Sequence, residues 1–114
     1  LSGIYITAEI FVTHIDRYFK RCKYILEPNE NAQQIANLIK IEKMMLAKLD
    51  RPHLTKIYRL KDQLSSLSVL VFDGHEKMTN KDTLGKITLI LKISGIWITE
   101  NTCGITFKFF HISD

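Results

Sequence analysis

Chemistry in a chain of this size falls to a few side chains: Cys22 and Cys103, four histidines, and the carboxylates Asp73, Glu76 and Asp82. A zinc site draws three or four His, Cys or acidic ligands, commonly with a close pair such as C-x-x-C or H-x-x-x-H. Neither pair occurs. Cys103 and His111 are eight residues apart, and His75 and Glu76 share one polar stretch, so no metal is expected. A nucleophilic cysteine needs a base within hydrogen-bond reach. His14 precedes Cys22 by eight residues, about 12 Å along the helix expected there, which is too far. Asp73, Glu76 and Asp82 crowd one stretch, yet no acidic residue stands two before a Lys on a following strand, and the group reads as solvated. Glycine-rich phosphate loops are absent from the sequence. The residues therefore predict no catalytic centre, no cofactor and a non-enzymatic role.

Charge is more informative. The 114 residues carry 16 Lys and Arg against 12 Asp and Glu, a net charge of +4, with an isoelectric point near 9.1. Residues 1–67 hold 11 Lys and Arg against 7 Asp and Glu, while residues 68–114 hold 5 against 5. Arg17, Lys20, Arg21 and Tyr24 recur at three- and four-residue spacing, one ridge of an expected helix, and Lys40, Lys43, Arg51 and Arg59 extend the basic surface. Such a surface suits the phosphates of a nucleic acid, single-stranded if exposed aromatic rings lie beside it. The competing expectation is a protein-interaction module, a homo- or hetero-oligomer, contacting its partner through Met44, Met45 and the outward-facing Phe110. No apolar run approaches the roughly 18 residues of a membrane span, so no membrane partner is expected. Two well-separated cysteines in apolar surroundings predict buried free thiols and an intracellular home, nuclear or cytoplasmic. The chain begins at Leu1, as a fragment or processed product would.

The elements that must position these residues follow from periodicity. Residues 7–26 place Phe11, Ile15, Tyr18, Phe19, Cys22, Ile25 and Leu26 at helical spacing, predicting a first helix ended by Pro28. Asn29, Glu30 and Asn31 are expected to cap a second helix over Ala32 to Leu49. Its apolar positions are too many for a single stripe. Leu54, Ile57, Leu60, Leu64 and Leu67 predict a third. From Ser68 the period shifts to two: Val69 to Phe72 reads as a short strand. Ile87, Leu89, Leu91 and Ile93 line one face of a longer one, and Ile105, Phe107 and Phe109 line its hairpin partner beyond a turn at 100–104. Trp97 shares the parity of Ile93 and is expected in the core unless Gly95 introduces a bulge. With 46% hydrophobic residues, the whole predicts one α+β domain, residues 1–114. Its helical part is 1–67, two or three N-terminal helices packed on a small C-terminal antiparallel sheet or hairpin over 68–114.

Overall fold

A computed structural model describes residues 3–19, 21–72 and 85–112. The polar stretch holding Asp73, His75, Glu76 and Asp82 lies outside the described residues, as does Lys20. Among these residues six strands and two helices follow in the order β1 (Ile4–Tyr18), β2 (Arg21–Leu26), α1 (Ala32–Ala47), β3 (Thr55–Lys56), α2 (Arg59–Ser65), β4 (Ser68–Phe72), β5 (Gly85–Ile98) and β6 (Thr102–Ile112). The expected N-terminal helical layer is therefore wrong. The fold is mainly β, and five strands close into a barrel in the order β1-β2-β4-β6-β5, with β5 pairing back to β1. Every barrel ladder is antiparallel except β4 to β6.

The first 26 residues contain two periods at once. The three- and four-residue spacing of Phe11, Ile15, Tyr18 and Cys22 imitates a helix, but Ala8, Ile10 and Val12, then Cys22, Tyr24 and Leu26, alternate with a period of two. That second set is the one buried. β-branched and aromatic residues between Ile4 and Phe19 favour the pleated surface. Pairing decides the outcome: Ile4 to Val12 matches Ile93 to Gly85 on β5, and a bulge near Val12 to His14 hands the strand on to β2. The inward faces of β1, β2, β4, β5 and β6 supply Ile10, Tyr24, Val71, Leu91 and Phe109 to the core.

The helix expected at Ala32 forms, as α1, and buries Leu38 and Leu46. The expected third helix shortens to α2, with Leu54 ahead of it buried and β3 between. The strand and hairpin expected after Ser68 are present as β4, β5 and β6, the turn falling at 99–101.

Asn31 does more than the expected capping. It sits at the N-cap of α1, yet its side chain makes no cap bond. Instead Phe11 N–H donates to Asn31 Oδ1 at 2.8 Å, and Asn31 Nδ2 donates to the carbonyls of Phe11 and Glu27, both at 2.8 Å. The buried amide thus stands in for a strand residue beside β1 and ties the start of α1 to the barrel. Asn31→Ala would strand the Phe11 N–H without this partner and should cost at least about 2 kcal/mol. Asn31→Asp cannot donate to either carbonyl and should be no less damaging; urea unfolding of both variants checks this.

Candidate functional site: a basic, aromatic cleft at the barrel seam

The barrel is least complete where β4 meets β6. β6 pairs with β5 on one side from Cys103 to Ile112. On the other side Thr55 and Lys56 pair with Thr102 and Cys103, and Val71 pairs with Phe109. Among the described residues nothing pairs with 104–108 on that side. Ile57 N–H donates to the Cys103 carbonyl at 2.8 Å, so the Cys103 peptide groups point away from β5. Peptide groups alternate along a strand, so those of Ile105 and Phe107 point the same way. A continued ladder would take the Leu70 N–H to the Phe107 carbonyl. That N–H instead donates to Gln63 Oε1 at 2.7 Å. The Gln63 side chain occupies the place of the missing rung and holds the seam apart.

The gap is a cleft of about 570 Å³. Arg21, Arg59 and Lys108 line it with Phe72, Trp97 and Phe107, and among the described residues its lining contains no Asp or Glu. Cations and rings are interleaved: Arg59 Cζ lies 5.0 Å from the Trp97 ring centroid, and Lys108 Nζ lies 5.0 Å from that of Phe72. Phe110 meets the Phe72 ring edge-on at 6.0 Å. Trp97 is half-buried, beyond the bulge at Ile93 to Gly95, so neither the core nor the fully outward expectation describes it. It packs so tightly on Gly104 that a Cβ there would lie 2.5–2.9 Å from three indole atoms. Its Nε1 is buried with no hydrogen-bond partner.

Of the residues the sequence singled out, the structure brings Arg21 and Arg59 together in the cleft. The helical ridge of Arg17, Arg21 and Tyr24 does not exist, because Arg17 lies near the end of β1 and the other two belong to β2. Tyr24 is fully buried, its hydroxyl 3.0 Å from His111 Nδ1. Arg17 reaches Cys22 Sγ at 3.7 Å. Lys40, Lys43 and Arg51 are exposed but do not line the cleft. Met44 is exposed, whereas Met45 packs against the core. Cys22 and Cys103 are both buried, and neither is in a disulfide. No group of three or more His, Cys, Asp or Glu residues suited to a metal occurs among the described residues. Sequence reasoning missed Lys108, Phe72 and Gln63. The alternation Phe107-Lys108-Phe109 was a usable signal for Lys108, but nothing local marked Gln63.

It also missed Glu42, which positions the cleft. Glu42 is fully buried on α1, and its Oε2 and Oε1 accept the N–H groups of Leu60 and Lys61 at 3.0 and 2.9 Å. Those are unpaired donors of the first turn of α2, the helix that carries Arg59 and Gln63. Comparison with known protein families, curated proteins and solved structures finds no match to this chain.

Burial raises the Glu42 carboxyl above its ordinary value of 4.5. The bonds from Leu60 and Lys61 oppose the rise, Asp62 adds to it, and the Lys61 charge lowers it. A carboxyl raised on folding holds its proton more tightly in the native state. Its contribution to stability is therefore fullest below 4.5 and is lost as pH climbs through the raised value. The stability of the wild type relative to Glu42→Gln should accordingly fall between acidic and neutral pH in denaturant titrations. A difference that stays flat or rises would refute the assignment.

Proposed function

We propose that this chain is a non-enzymatic binding domain for single-stranded nucleic acid, taken up in the cleft between β4 and β6. One observation carries the reading: Arg21, Arg59 and Lys108 converge on rings of Phe72, Trp97 and Phe107, with no carboxylate among the described residues of the lining. Such a lining offers phosphate oxygens a positive wall and offers unpaired bases a stacking surface, whereas a duplex keeps its base faces covered. The open edge at Ile105 and Phe107 adds main-chain donors and acceptors that base edges can use. Five-stranded barrels of Greek-key type serve oligonucleotide and oligosaccharide binding elsewhere, an analogy of architecture that adds only modest weight. The basic surface invoked here is therefore the barrel seam, not a helical face.

Two buried cysteines outside any disulfide favour a reducing, intracellular setting. Among the described residues no helix is long and apolar enough to cross a membrane.

Fluorescence anisotropy with a labelled oligothymidylate tests the proposal. Affinity should fall with salt with a log–log slope of about −2, from three phosphate contacts at about −0.7 each. Arg21→Glu and Lys108→Glu should each weaken binding by an order of magnitude or more, and Lys40→Glu should not. Binding indifferent to salt and to both cleft reversals would remove the proposal. Loss on Lys40→Glu alone would move the site to α1.

A further inference from the structure

Arg59 and Trp97 share a contact that a bound strand would have to break. Arg59 Cζ stands 5.0 Å from the Trp97 ring centroid, and Arg59 itself is exposed, so little besides that ring contact holds its guanidinium. The indole is closely packed. Gly104 leaves the only room for it, since a Cβ would come within 2.5 Å of Cζ2, and Trp97 pairs directly with Gly104 across the β5–β6 ladder. The geometry thus sets a closely packed ring beneath an exposed guanidinium.

From this we infer that Trp97 is a nucleobase-stacking platform which Arg59 occupies in the free protein, and that a bound strand exchanges the guanidinium for a base. The inference rests on the cleft reading above and specifies how the cleft works. An exposed cation–π pair is weaker than a base stacked on an aromatic ring, so the exchange runs toward the base. Arg59 leaves the ring with its charge intact and adjacent to the backbone of the same strand, where a phosphate accepts its N–H groups. In the free state the guanidinium also shields the ring from other apolar surfaces.

Trp97 is the chain's only tryptophan, so its emission reports on the platform without ambiguity. The experiment titrates the full chain with oligothymidylate of about 15 nucleotides, near the upper site size of single-strand-binding barrels, following indole emission and the anisotropy of a labelled copy in parallel. Emission should change in step with anisotropy and saturate at the same concentration. In Arg59→Ala the emission of the free protein should already differ, because the cation has left the ring, and the oligonucleotide should still change it further. Trp97→Leu, checked for a native circular-dichroism melt, should bind on the order of tenfold more weakly; if it fails to fold, the Arg59→Ala and emission measurements decide alone. Anisotropy that rises while emission stays constant would overturn the exchange and leave the cleft reading standing. So would a free-protein spectrum unaltered by Arg59→Ala. No rise in anisotropy at low salt would overturn both.

Discussion

The carboxylate of Glu42, buried under α1 and bonded to the first N–H groups of α2, is the interaction on which the site depends. α2 spans only Arg59–Ser65, too short to persist without tertiary support. Glu42 closes its exposed donors from a neighbouring helix, and the burial of Leu60 and Leu64 seats it on the barrel. An ionisable group with no exposed surface is costly to bury unless its oxygens are occupied. Both are occupied here, and the energy so committed fixes the direction in which Arg59 and Gln63 leave the helix.

That direction matters because the seam of the barrel is undecided on its own. β4 and β6 run parallel and, among the described residues, join at a single matched pair, Val71 with Phe109. Either the ladder continues toward Phe107 or something else satisfies the Leu70 N–H. Gln63 satisfies it, and the strands stay apart. A side chain on a seven-residue helix therefore sets the width of the cleft, and the same helix delivers Arg59 to the Trp97 ring. Opening a barrel ordinarily exposes a strand edge to unwanted pairing. Here the edge lies in a recess that Arg21, Arg59 and Lys108 line together with aromatic rings.

The charge of the molecule acquires a different meaning in this light. The excess of Lys and Arg in residues 1–67 belongs to no single surface: Lys40 and Lys43 ride on α1, Arg51 sits in a connection, and among the described residues only Arg21 and Arg59 of this half reach the cleft. Their third companion, Lys108, comes from the half of the sequence with no net charge. A local concentration of three cations arises from one residue each of β2, α2 and β6, elements far apart in the chain.

Periodicity alone determined α1, β4 and the β5–β6 hairpin, whose register is reinforced by adjacent segments and a short turn. Two well-separated cysteines in apolar context also pointed correctly to buried thiols. The first 26 residues were different. Their apolar positions satisfy helical and strand periods together, and no Gly or Asn marks the turn between β1 and β2. Only long-range pairing with β5 selects the strand. The site lay further out of reach, because Gln63, Glu42 and Trp97 act through partners seven, eighteen and seven positions away, or, for Arg21 and Lys108, through a recess they share only after the barrel has closed. Local spacing encodes which face of an element is apolar; which elements then meet, and what their remaining side chains enclose, is settled by closure of the whole barrel.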